Sequence, residues 1–200
     1  MAQSAVHSYL KYCLDRSETM KKRYHTLWEQ WVTSSLALNK VEPLQFLIQI
    51  TQGLGKIDVE LREWEAENLK EQSIQQSRPS ESKIIEFNDK VIQSHLWVLG
   101  VYEVIRTLSQ KAKNDHQIFG DVINEKIAKT KHDLEIIRIP LAKLEPRRLK
   151  DCTALALPIV FPDRGLGWRI NSEIPGTEIV ISRQELADEV LELLTSMQES

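Results

Sequence analysis

IIEFNDKVIQSHLWVLGVYEVIRTL, residues 84–108, is the stretch on which the fold turns. Ile84, Phe87, Val91, Ser94, Val98, Val101, Ile105 and Leu108 recur at steps of three and four, the period of one helix face. Ile92, Leu96 and Leu99 lie beside that stripe and widen it. So broad an apolar arc predicts that this helix, the third in the chain, is the most buried one.

The same period continues outward on both sides. Val6, Leu10, Cys13, Ser17, Met20, Tyr24, Leu27, Trp31 and Leu38 predict a first helix over roughly residues 4–38. A second opens at Val41-Glu42-Pro43, where proline's missing N–H costs nothing. Its stripe, Leu47, Ile50, Leu54, Ile57, Leu61 and Trp64, runs in phase through Gly53 and Gly55. Glycine is costly inside a helix, so the two mark either a close-packing point or a kink in a helix expected to be continuous. EQSIQQSRPSES, residues 71–82, reads as an exposed loop around Pro79. The fourth helix starts near Asp115 and carries Phe119, Ile123, Ile127, Thr130, Leu134 and Ile137. Pro140 should stop or kink it, LAKLEP adding a last turn, and Pro146 with Arg147 and Arg148 closes the helical part.

Beyond residue 150 the period changes. ALALPIVFP (154–162), LGWRI (166–170) and TEIVI (177–181) are short and rich in branched or aromatic residues, and PDRG and NSEIPG separate them as turns. They predict a hairpin or three-stranded meander. Ser182 and Glu185 stand at capping-box spacing ahead of Leu186, Val190, Leu193 and Leu194, a short amphipathic helix. The expected fold is mainly α: four long helices in an antiparallel bundle, residues 1–150, with a small β-hairpin or meander and short helix, residues 151–200, packed on it.

With 200 residues, 42% hydrophobic and 28% charged, the chain carries enough apolar side chain for a sizeable core. Cys13 and Cys152 form no CxxC pair and fit a reducing compartment. No basic leader precedes an apolar run, and the longest uncharged stretch, Val91 to Tyr102, is far too short to span a bilayer. A cytoplasmic protein without membrane association is the expectation. The net charge of −3 conceals a bias along the chain. Residues 106–150 hold eleven Lys/Arg against six Asp/Glu, and residues 151–200 hold three against nine, so the two segments should attract each other. The basic segment is also a possible phosphate footprint, although acids interleave its cations as on an ordinary solvated helix face.

Familiar catalytic motifs do not occur: there is no GxxxxGK[ST], GxGxxG, HExxH or GxSxG. His25 with Glu29 and His132 with Glu135 reverse the Glu-x-x-His order of carboxylate-bridged metal sites in bundles, so neither metal nor cofactor is expected. The informative polar group lies in the third helix, where His95, Tyr102 and Arg106 fall within about 40° of arc, with Glu103 flanking. A buried arginine needs a carboxylate, and Glu103 is the nearest in sequence. The structural reading is an ion pair that holds the third helix against the first and fourth. The functional reading joins His95, Tyr102, Glu103 and Arg106 to Arg138 and Lys143, which flank Pro140, as an anion-binding pocket.

The arrangement of long helices resembles the HEPN domains, a bacterial family of helical ribonucleases and nucleotide-binding proteins. Their catalytic signature is an arginine followed a few residues later by a histidine. Here Arg106 precedes His116 by ten positions and Arg16 precedes His25 by nine, so the signature is missing. Among five tryptophans, Trp31 and Trp64 lie on the stripes as core residues. Trp28 and Trp97 stand off them, either covering neighbouring helices or forming an exposed contact, and Trp168 is expected to pack on the bundle.

Two functions follow as expectations. The first is a non-catalytic interaction or structural protein that binds a protein partner or its own copy. The alternative is a nucleic-acid or nucleotide-binding helical module.

Overall fold

The computed structural model describes residues 22–40, 45–72, 80–115, 117–143, 147–149, 152–161, 163–172 and 178–199. Over these the chain is mainly α. Helix α1, Lys22–Ser35, tightens into a 3-10 turn at Leu36–Lys40, and is followed by α2 (Gln45–Gln72), α3 (Glu81–Asn114) and α4 (Gly120–Lys143). Strands β1 (Arg147–Leu149), β2 (Cys152–Phe161), β3 (Gly165–Ser172) and β4 (Glu178–Ser182) precede α5 (Arg183–Glu199). The expected helix over residues 4–21, its opening turn at Val41 to Pro43 in the second helix, and Pro79 fall outside the described residues.

Side-chain bonds give the helix directions. Tyr24 bonds to the Arg62 carbonyl, Trp31 to Asp58 and Gln52 to Ser35, so α2 runs antiparallel to α1. Trp97 donates to the Leu54 carbonyl and Trp64 to Glu86, which sets α3 antiparallel to α2. Lys126 meets Glu192 and Lys129 meets Glu189 across the antiparallel α4 and α5. Those last two pairs realise the attraction between the basic and acidic segments. Helix α5 lies between α4 and α1, and the Ser34 and Thr195 hydroxyls, 2.9 Å apart, tie it to α1.

The sheet is a four-stranded antiparallel meander in the order β1-β2-β3-β4. Arg147 to Leu149 do not merely end the helical part: they pair with Cys152 to Ala154 as an edge strand. One face carries Leu166, Trp168 and Ile170 into the helices, each at most 2% exposed. At the end of the sheet Ser182 caps α5. Its hydroxyl accepts from the Gln184 and Glu185 amides, and its own amide donates to Glu185, which is the expected capping box.

Helix α2 passes through both glycines without a break. Gly55 is a close-packing point, because a Cβ there would run into the Trp31 indole. All five tryptophans are buried, Trp28 and Trp97 among them. Two faces differ from the periodicity. Helix α2 buries Leu47, Leu54, Leu61 and Trp64 of its expected stripe and turns Thr51, Gln52, Asp58 and Glu65 inward beside them, but leaves Ile50 exposed. Helix α3 is buried on one face from Ser94 onward, while Ile84, Ile85, Ile92 and Leu96 are exposed. The first turns of α3 meet the end of α2 through Trp64, which bonds Glu86 at 2.7 Å and stands 6.2 Å from the Phe87 ring. Helix α4 continues through Pro140 to Lys143. A proline three residues from a C-terminus removes a single interior bond, and the helix survives it.

Candidate functional site

Two polar arrangements and one apolar surface stand out. The polar stripe of α3 is divided into three. Tyr102 is buried and donates to Glu135 Oε1 at 3.1 Å, with the Arg138 guanidinium 4.9 Å from its ring centre and Lys131 Nζ 5.9 Å away. Burial, and then the bond to Glu135, push the Tyr102 phenol above its ordinary value. Arg106 is closed by Glu103 at 2.7 Å, as its sequence position requires, but on the surface, where the two side chains are 39% and 49% exposed. An exposed pair of this kind contributes well under about 1 kcal/mol. It does not pin α3 to the other helices.

His95 belongs to neither group. Its ring lies 5.9 Å from that of Trp168 on β3, and burial lowers its pKa below the usual imidazole value. Among the sequence-derived candidates, Tyr102 and Arg138 come together, Glu103 and Arg106 pair separately, and His95 faces the sheet. Lys143 ends α4, and its side chain is outside the described residues. The other five are not brought together in a single pocket.

The densest polar network is one that periodicity did not disclose. Arg183, the first residue of α5, is fully buried between Asp58, itself fully buried, and Glu65, 2% exposed. Its guanidinium lies 5.8 Å from the Trp97 ring centre and bonds Glu65 Oε2 at 2.9 Å and Asp58 Oδ1. Asp58 also accepts from Trp31 Nε1 and Arg62 Nε, each at 3.1 Å. Glu65 accepts from the Leu166 amide at 3.0 Å and from Gln184 at 2.6 Å. Burial alone would lower the pKa of Arg62, but Asp58 and Asp188 outweigh it and raise it.

Gly165, at a φ of 70°, makes this possible. A left-handed turn favours glycine, and a Cβ there would meet the Glu65 carboxylate, so only glycine lets the β2–β3 turn deliver the Leu166 amide. Every carboxylate oxygen in the core of the network is occupied, which suits a structural lock between α2, the sheet and α5. The signal in the sequence was Asp58 and Glu65 seven residues apart on one helix edge, with Arg183 directly after the capping serine. Among the described residues, no group of three His, Cys, Asp or Glu side chains is placed to hold a metal ion.

A groove of about 710 Å³ runs between α1 and α5. Of its carboxylates, Glu29 meets His25, Asp188 meets Arg62 and Glu192 meets Lys126. Arg62 and Lys126 thus neutralise two of its four carboxylates, Glu29, Asp188, Glu192 and Glu199.

The apolar surface lies on the outward side of α2 and α3. Phe46 is 78% exposed, Ile50 48%, Ile85 57%, Ile92 54% and Leu96 62%. At the helical period, Phe46, Ile50 and half-buried Ile57 lie on one stripe of α2, on its α3 side, and Ile85, Ile92 and Leu96 on one stripe of α3. The antiparallel register set by Trp97 and Leu54 brings Ile57 level with Ser94, between Ile92 and Leu96. Two ion pairs, Lys56 with Glu60 and Glu103 with Arg106, border the surface, and exposed Asp89 stands between Ile85 and Ile92 on the α3 stripe.

Comparison of the chain with known protein families, with curated proteins and with solved structures finds no match. Among the described residues no helix is long and apolar enough to cross a membrane.

Proposed function

We propose that this is a non-catalytic helical interaction protein that associates with its own copy through the outward face of α2 and α3. The observation that carries the reading is the row of five large apolar side chains, each about half exposed or more, on that one helix pair. Together they amount to on the order of 500 Å² of apolar surface, given the area such side chains carry, which matches the largest patches on ordinary monomers and marks interaction sites. Two copies meeting face to face would bury on the order of 1,000 Å², near the lower bound for a specific interface. The paired charges at the border, Lys56 with Glu60 and Glu103 with Arg106, give a copy little like charge to oppose there. Helix α4 spends Lys126 and Lys129 on the carboxylates of α5, which leaves less of its charge to attract phosphate.

Light scattering on the full chain tests this. We expect a mass above that of the monomer at about 100 µM, in the micromolar range typical of small interfaces. It should persist when salt is raised to about 0.5 M, where exposed charge attraction is largely screened. The double change Ile92→Asp and Leu96→Asp should return the protein to monomer with its thermal midpoint unchanged. A wild type that stays monomeric at that concentration overturns the reading. An added nucleic acid whose binding weakens steeply with salt would favour the alternative module.

A further inference from the structure

We infer that a second copy of this chain seats a projecting apolar side chain over Gly53, the point where the helices of the two copies come closest. The inference rests on the self-association reading and names the contact that determines it.

Three glycines sit inside long helices, and two have reasons within the chain. A Cβ at Gly55 would run into Trp31, and one at Gly100 would stand 2.8 Å from a Leu54 methyl. Gly53 has no such reason: a Cβ there would have nothing within 4 Å. Glycine in a helix interior lowers stability relative to alanine by loosening the unfolded chain and baring the backbone. The fold of one copy would therefore be better served by alanine at 53, and what glycine offers there is close approach from outside.

The position fits. Gly53 is three residues after Ile50 and four before Ile57, on the outward side of α2 beside the Phe46 stripe. Gly100 stands across the seam at about the same level, fixed by its contact with Leu54 and by the Trp97 bond to the Leu54 carbonyl. The apolar face, with the Leu54 side chain filling the space over Gly100, is thus low at Gly53. Exposed side chains rise on either side of it, Phe46 and Ile50 toward one end and Ile92 and Leu96 toward the other. Two such faces related by a two-fold axis are self-complementary, each offering a projection to the other's hollow. Small residues at a helix contact permit backbones to approach closely. A nucleic acid would find no unpaired cation among the residues just named, and the paired Lys56 and Arg106 at the border are already neutralised.

Sedimentation equilibrium on Gly53→Ala and Gly53→Leu in the full chain, beside thermal melts at about 1 µM, dilute enough for the weak pairing to dissociate, tests the inference. Because the site is open within one copy, neither change should lower the melting midpoint, and Gly53→Ala should raise it. Association should weaken at least tenfold in Gly53→Leu and by a smaller factor in Gly53→Ala, whereas Glu125→Leu on the exposed side of α4 should leave it unchanged. If wild type associates and Gly53→Leu associates equally well, the Gly53 contact is wrong and self-association stands. If Gly53→Ala melts lower than wild type, the open space is wrong and the inference falls. A monomeric wild type removes both readings together.

Discussion

Replacing Arg183 by methionine isolates the buried network. Methionine keeps the length of the aliphatic stem against Trp97 and removes the guanidinium that bonds Asp58 and Glu65. Removing one member of a buried ion pair costs about 3–5 kcal/mol, because the other charge stays behind uncompensated. The remaining bonds argue for the lower figure. Asp58 retains Arg62 and Trp31, and Glu65 retains the Leu166 amide and Gln184. About 3 kcal/mol in a chain of this size corresponds to a fall in melting midpoint of roughly 6–12 °C. Urea unfolding followed by tryptophan fluorescence and by circular dichroism reads the change, with the midpoint lowered and the slope unaltered. The companion variant Asp58→Asn, Glu65→Gln, Arg183→Met removes all three charges and should regain most of the loss, since contacting sites do not add. A loss under about 1 kcal/mol in Arg183→Met would refute the account of α5 as locked by charge.

Other outcomes follow from the same contacts. Gly55→Ala gains about 1 kcal/mol of helix propensity but presses a methyl into the Trp31 indole, and overpacking of that kind costs about 1–3 kcal/mol, so the melting midpoint should fall. Burial holds His95 below its ordinary pKa, so the unfolded chain takes up that proton first. This contribution is complete above about pH 6.5 and is lost as pH falls through the folded value; urea midpoints should drop from pH 7 to 5, and less so in His95→Gln. An equal drop in both proteins would clear His95 of the effect. Bonds to Glu189 and then Asp133 raise the Lys129 pKa, yet its side chain is 67% exposed, so Lys129→Ala should cost under about 1 kcal/mol and still less in high salt, by chemical denaturation.

Helix positions and the change of period at the sheet were legible because both follow from spacing. Leu186, Val190, Leu193 and Leu194 behind a capping serine could form little other than the amphipathic α5. Which polar residues join a buried face is a weaker inference. For α2 periodicity selected Leu47, Leu54, Leu61 and Trp64, all of them buried, together with Ile50, which is exposed. It passed over Asp58 and Glu65 on the same inward side, to which Arg183, more than a hundred residues later, supplies the countercharge. Which cation would meet them is not written in local spacing. Tyr102 and Arg138 suffered from the same blindness: their shared helix faces were visible, but not that Glu135 would occupy the phenol.

Helix α2 carries both the buried charge and part of the exposed apolar face. Leu47, Leu54 and Leu61 share its inward side with Asp58 and Glu65, whereas Phe46 and Ile50, nearer its start, stand in water. Rotating α2 to cover Phe46 and Ile50 would draw Asp58 away from Arg183, and an unpaired buried charge costs more than two exposed apolar side chains regain. A lone chain therefore keeps its apolar face in water. A second copy can cover that face without disturbing the network beneath. The area at stake is near the lower bound for a specific interface, and association also costs rigid-body freedom, so the pairing should be weak and strongly dependent on concentration. A titration over about 1–500 µM, spanning the affinities such interfaces reach, should show the mass rise gradually. A fixed mass that does not respond to dilution would mean a contact much larger than this face provides.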